Sequence, residues 1–284
     1  MMSRPDPEVT ILMGVFNGLP ELERAIRSIL DQTFRAFEFL IIDDASTDGS
    51  DRLIRRYAEC DDRITFLRNE TNQGLGAVLN RGVRDARGQL VARMDSDDTS
   101  VPERLEKQLQ FFRSHPDTDV VGSYALDISK SGAAIRERRV PITHERIVDL
   151  VWSCPFVHTT VMFRKASILK VGSYSPKIRR RQDYDLWFRC VHGGLRLANI
   201  PEPLVHYLFS EDTIRRNRFG ATWNQVNIGL RGCRLVRAPL RAYVGTCLPL
   251  VEAALPSWFR LKFMSIKSRI DPRTTPWSGS ARNG

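Results

Sequence analysis

Asp95, Ser96 and Asp97 place two carboxylates two residues apart. At the end of a strand, such a pair can turn its oxygens toward one hard cation. Mg²⁺ or Mn²⁺ held by one or two carboxylates together with substrate phosphates is a common way to bind a nucleoside diphosphate. Asp and Ser also make ordinary turns, so the setting matters more than the pair. It follows the apolar run RGQLVARM, while Asp43 and Asp44 end a second run, FEFLII, and Asn17 follows a third, VTILMGV. Carboxylates at several strand ends, with Asp98 beside them, would line one rim of a sheet.

The elements that must hold these residues show in the hydrophobic periodicity. Val9 to Val15 reads as a strand, then Asn17-Gly18 as a turn, then Pro20 to Leu30 as an amphipathic helix. Phe37 to Ile42 is a second strand, and Thr47-Asp48-Gly49 opens a helix running to about Cys60. A strand over Ile64 to Leu67, a helix over Gly74 to Ala86 and a strand over Gln89 to Met94 follow. This alternation predicts a parallel sheet with right-handed crossovers. Ligands of such a sheet sit beyond the carboxyl ends of its strands. After Pro102 come a helix (PERLEKQLQFF), strand-like DVVGSYALDI and TTVMFR, a helix around Tyr184 to Val191, and a closing segment over Pro201 to Phe209.

The segments VTILMGVFNG, FLIIDDASTDGS, NQGLGAVLNRGVRDARG, LVARMDSDD, PERLEKQ, HTTVMFRK and QDYDLWFR occur in this order over residues 9 to about 209. Together they resemble the family-two glycosyltransferases of GT-A fold. The resemblance implies a Rossmann-like, mostly parallel α/β sheet flanked by helices. It implies transfer, with inversion, from a nucleotide-sugar donor to a hydroxyl of a saccharide or lipid-linked saccharide. By the same resemblance Val15, Phe16 and Asn17 line the donor-base pocket, Asp43 accepts a hydrogen bond from the base, and Asp44 and Ser46 hold the nucleoside. A carboxylate reading a ring N–H favours uracil or thymine, hence a UDP-sugar. Asn72 and Gly74 let the backbone pass close to the nucleotide, a use that suits glycine. Asp95 faces the ribose and the metal, Asp97 binds the Mn²⁺ or Mg²⁺ that bridges the diphosphate, and Asp98 supports them.

Asp183 matches the general base of the family's Glu-Asp pair, with Gln182 where the Glu stands. Gln can orient a neighbour by hydrogen bonding but supplies no charge. His158 is expected near the acceptor, and Trp187 is placed either against an acceptor sugar or in the core. Close relatives carry a Tyr-Arg followed by a His near the metal. Here Leu208 follows Tyr207 and no His comes later, which leaves His206 as the substitute.

Composition narrows the alternatives. Of the net charge of +10, residues 213 to 284 hold thirteen Lys/Arg against Glu252 and Asp271, whereas residues 1 to 212 are nearly neutral. The expected organisation is a catalytic domain over 1–212, a basic amphipathic extension over 213–270 and a disordered tail over 271–284. Residues 243 to 259 are apolar but carry Glu252 and two prolines, too short and broken for a membrane span. Flanked by arginines and lysines over 231–269, this stretch reads as a peripheral contact with an anionic membrane. A docking helix for another protein competes with that reading. Nucleic acid is not expected, because no recognition motif accompanies the charge. Five widely spaced cysteines without a C-x-x-C pair, and a start without an apolar signal core, suggest a reducing, cytoplasmic setting. GVFNGLPELERA is not the basic glycine-rich loop of a sugar nucleotidyltransferase, and Leu79 stands where a dinucleotide fingerprint needs its third Gly. A noncatalytic nucleotide-sugar-binding module is favoured only by Gln182.

Overall fold

The computed structural model describes residues 7–209 and 219–254. The boundary expected near 212, the basic residues beyond 254 and the 271–284 tail lie outside the described residues.

Four strands form the first half of the sheet: β1 (Val9–Val15), β2 (Phe37–Asp43), β3 (Ile64–Arg68) and β4 (Leu90–Asp95). They pair in parallel in the order β3-β2-β1-β4. The connecting helices are α1 (Leu22–Leu30), α2 (Ser50–Cys60) and α3 (Leu75–Asp85). Helices on both faces explain why β1 and β2 are buried along nearly their whole length, and mostly apolar rather than alternating. Leu12, Leu40, Ile42 and Val91 join one buried cluster with Val78, Leu79 and Val83 of α3. Ile11, Met13, Phe39, Ile41 and Met94 join the other with Leu22, Ala25, Ile26 and Ile29 of α1, spaced to lie on one face of that helix. Glycine permits the close contact of α3 with β1: a Cβ at Gly82 would lie 2.2 Å from Leu12 Cδ1.

The second half of the sheet is mixed, a departure from simple parallel alternation. It contains β5 (Thr99–Ser100), β6 (Val120–Ile128), β7 (Ala134–Arg138), β8 (Met162–Arg164) and β9 (Leu197–Leu208). β8 runs antiparallel to both β4 and β6, β9 runs parallel to β6, and β5 closes the edge antiparallel to β9. β7 pairs antiparallel with β6 off this path. Around these strands lie α4 (Arg104–Ser114), α5 (His144–Asp149), α6 (Lys165–Lys170) and α7 (Gln182–His192).

Beyond the body, α8 (Phe219–Leu235) and α9 (Leu240–Ala254) pack on each other, and α8 packs on α7. Small residues allow this. A Cβ at Gly229 would lie 2.7 Å from Tyr184 Oη, one at Gly232 2.1 Å from Phe188 Cδ2, and one at Gly245 2.2 Å from Trp152 Cζ3. Gly232→Leu should therefore destabilise the protein by about 1–3 kcal/mol through overpacking, read as a lower midpoint in urea unfolding. Because Phe188 belongs to α7, the same variant should also lower turnover. No helix among the described residues is long and apolar enough to cross a membrane.

Candidate active site

The carboxyl ends of β1, β2 and β4 meet at one rim. Asn17 and Ala45, just past β1 and β2, both take the left-handed backbone conformation, which a non-glycine residue adopts only where neighbours hold it. Here the two turns hold each other. Asn17 N–H donates to Ser46 Oγ at 2.9 Å, and Thr47 N–H donates to Asn17 Oδ1 at 2.9 Å. Asp48 receives the N–H of Leu19 at 2.9 Å, adding a third tie between the turns. Gly18 borders Ser96, which brings the first turn against the DSDD segment.

Asp43 and Asp44 are both buried and do different work. Asp43 accepts Ser46 N–H at 3.2 Å and pairs with the Arg68 guanidinium at 3.3 Å. Asp44 uses both oxygens on the chain itself: Oδ1 accepts Asn69 Nδ2 at 2.7 Å and Gln73 N–H at 3.0 Å, while Oδ2 accepts Gly74 N–H at 2.8 Å. It therefore shapes the 69–74 loop, and any hold on a nucleoside passes through that loop. Gly74 opens α3 with a φ of +87°, a value that favours glycine. Asn72 reaches the Asp44 carbonyl at 3.4 Å.

At the end of β4, Asp95, Asp97 and Asp98 bring carboxylate oxygens within 4.8 Å of one another. An all-oxygen, anionic set of this span fits a hard divalent cation. The three differ in depth: Asp97 is exposed, Asp95 intermediate and Asp98 buried. Burial, then the charges of Asp95 and Asp97, push the Asp98 carboxyl well above the usual carboxylate range. The Leu208 N–H donates to Asp98 Oδ1 at 2.9 Å, tying the trio to β9. Asp95 N–H donates to Thr159 Oγ1 at 3.2 Å, and its carboxylate pairs with the guanidinium of Arg93, 1% exposed beneath it.

Asp183 lies in the first turn of α7, behind Arg181 in a left-handed conformation that aims the helix start. Its Oδ2 receives the Cys154 thiol at 3.6 Å. Asp185 is engaged elsewhere, with Oδ2 at 2.9 Å from Arg189 Nε one turn along. A buried polar pair, His158 Nε2 and Tyr174 Oη at 2.9 Å, feels the charges of both Asp95 and Asp183. Burial, then the Arg93 charge, lowers the His158 ring to about 4. An unfolded His gains its proton near pH 6.5, so between about 6.5 and 4 the unfolded chain binds more protons and folding weakens as pH falls. Urea unfolding at pH 5 against pH 7 should show this loss, and His158→Gln should shrink it.

These positions bear on several of the expected roles. Val15 does not line a pocket with its side chain, which is 1% exposed in the core; its carbonyl instead accepts Asp44 N–H at 2.7 Å. Phe16, 52% exposed, and Asn17 occupy the rim. Trp187 is fully buried against Phe156, with ring centroids 4.7 Å apart, so the core alternative holds and no sugar can stack on it. His206 is not one of the side chains gathered in the acidic trio; it pairs with Thr99 in the β5–β9 register, within reach of the Arg24 charge. Gln182 is buried beside Gly76 at the start of α7. Arg93, Thr159, Tyr174 and Cys154 were not singled out from the sequence. Arg93 alone left a signal there, a charged residue inside the apolar run LVARM.

A family model described as glycosyl transferase family 2 matches residues 10–185. The chain is 34% identical over 254 residues to a putative glycosyltransferase, EpsE, of Bacillus subtilis, covering 88% of this chain and 91% of that one. It is 30% identical over 222 residues to a UDP-Gal:alpha-D-GlcNAc-diphosphoundecaprenol beta-1,3-galactosyltransferase of Escherichia coli, covering 76% and 79%. Among solved structures, S. aureus TarS 1–349 in complex with UDP-GlcNAc superposes with a TM-score of 0.68 at 14% identity, covering 92% of this chain and 80% of that one. A mannosyltransferase of Pyrobaculum calidifontis with GDP-Man and Mn²⁺ gives 0.64 at 17%, covering 93% and 80%. The fold is thus that of these glycosyltransferases, and the length and identity of the sequence matches show that the chain belongs to glycosyl transferase family 2.

Proposed function

We propose that the protein transfers a hexosyl group from a UDP-sugar to a hydroxyl of a saccharide or lipid-linked saccharide, with inversion at the anomeric carbon. The observation that carries this reading is an acidic trio at the end of β4, able to take a cation, with Asp183 near enough that its charge and that of Asp95 both reach the buried His158–Tyr174 pair. The relative named above acts on a UDP-sugar and a lipid diphosphate-linked acceptor, in line with that choice.

The nucleoside rests on the rim made by Phe16, Asn17 and Ser46, and the Asp44-braced 69–74 loop passes beside it. Asp43 reads the base once Arg68, 41% exposed, swings off its carboxylate. Asp95 and Asp97 would hold the cation, with Asp98 behind them. A divalent cation bound there would supply positive charge to offset that on the departing diphosphate. Asp183 accepts the acceptor's hydroxyl proton as that oxygen attacks the anomeric carbon from the face opposite the leaving group. The half-buried Cys154 thiol and the start of α7 keep the Asp183 carboxylate aimed.

A donor screen that follows nucleoside diphosphate release with and without Mn²⁺ tests the reading. Release from UDP-sugars alone is expected. Binding of a UDP-sugar without any release over a panel of acceptors would favour the binding-module alternative suggested by Gln182.

We also propose a peripheral location at the inner face of the cell membrane. Trp223, Leu235, Leu240 and Val244 are exposed on α8 and α9 beside exposed Arg231, Arg234 and Arg237. Apolar and cationic groups together suit an anionic bilayer. Arg234→Glu with Arg237→Glu should weaken co-sedimentation with phosphatidylserine vesicles by about thirtyfold or more, at about 1 kcal/mol per arginine lost. Equal binding, or binding indifferent to salt, would sink the electrostatic part.

A further inference from the structure

Arg93 is the least expected side chain of the site. It sits two residues before Asp95 on β4, so both side chains leave the same face of the strand. It is 1% exposed, its guanidinium pairs with Asp95 and lies within reach of the Asp98 charge, and its Nε and Nη1 meet no acceptor among the described residues. A second buried arginine braces it: Arg104 Nη2 donates to the Arg93 carbonyl at 2.7 Å, while Arg104 Nη1 reaches Ser100 Oγ at 3.0 Å and Nε reaches Gln108 at 3.1 Å.

Burying a guanidinium with unsatisfied nitrogens is costly, and an apolar side chain of similar volume is often no worse for stability. Packing therefore does not account for Arg93. What it adds is a permanent positive charge under three carboxylates and a fixed partner for one oxygen of Asp95.

We propose that Arg93 is a positioning residue that holds Asp95 and offsets the charge of the Asp95–Asp97–Asp98 trio, so that a divalent cation binds tightly there only together with a nucleoside diphosphate. This rests on the metal reading of the trio. Without the arginine, three clustered carboxylates would attract a bare cation; with it, the attraction falls, because a cation is repelled by the charge below. The diphosphate brings its own negative oxygens and restores the balance. The consequence is that metal and donor enter as one unit, and an empty site does not retain metal.

Electron paramagnetic resonance of free Mn²⁺ in the presence of the full-length protein, with and without UDP, tests this without any turnover. Arg93→Gln removes the charge but can still hydrogen-bond Asp95. It should tighten binding of Mn²⁺ alone by about tenfold, the scale of removing one nearby unit charge, and should change binding in the presence of UDP much less. Arg93→Lys keeps the charge and should stay near wild type in both conditions. A folded Arg93→Gln that binds Mn²⁺ alone no more tightly than wild type overturns the proposal. If Arg93→Gln does not fold, Arg93→Lys decides. Wild-type-like metal binding supports the charge role, and a tenfold change overturns it in favour of the guanidinium's shape. A wild-type protein that takes up no Mn²⁺ even with UDP would refute the metal reading itself, and this inference with it.

Discussion

Asp183→Asn is expected to lower kcat by on the order of 10²- to 10⁴-fold while leaving donor affinity nearly unchanged, the range that general-base assistance supplies. The substitution keeps the side chain's shape and its contact with the Cys154 thiol, and it removes only the basicity. An alcohol attacks well only as its proton leaves, so the loss falls on the chemical step. Asp185 is not poised to replace it, being held by Arg189 one turn along α7. Normal turnover by Asp183→Asn would mean that another residue takes the proton. A product with the donor's anomeric configuration by NMR would exclude single displacement altogether.

Loss of the cation should have a comparable effect. Excess chelator is expected to abolish turnover, with Mn²⁺ or Mg²⁺ restoring it, and Asp97→Ala should lower kcat/KM by about 10³-fold. That figure corresponds to several kcal/mol of lost stabilisation of the leaving diphosphate. Asp97 is the exposed member of the trio, so its removal should leave folding intact and separate chemistry from stability. Asp97→Ala should weaken UDP-sugar binding only when metal is present. Full activity in excess chelator would refute a metal-dependent mechanism.

The first half of the fold was legible because its strands are continuous apolar runs and its helices carry a clear apolar stripe, as in Leu22, Ala25, Ile26 and Ile29. The second half was not, because pairing direction is decided by contacts distant in sequence. β8 is only three residues long, and the segment read as its first part folds into a short 3₁₀ turn over His158–Thr160. Side-chain depth was the other gap. Val15, Asp44 and Trp187 sit at positions where motif and chemistry point toward a ligand, yet whether each faces cleft or core depends on the layer packed over it. Asp44 shows the reason most directly: backbone N–H groups of Gln73 and Gly74, nearly thirty residues away, consume the carboxylate that a strand-end Asp offers.

The glycine-mediated seating of α8 on α7 also bears on how this protein could be shortened or recombined. The family-model match ends at residue 185, within the helix that carries Asp183. A chimera spliced there would cut through QDYDLWFR and part Tyr184 from its neighbour at Gly229. The heritable module is thus longer than its signature, and exchange of acceptor preference between relatives should succeed only when the crossover falls outside α7 and α8 taken together.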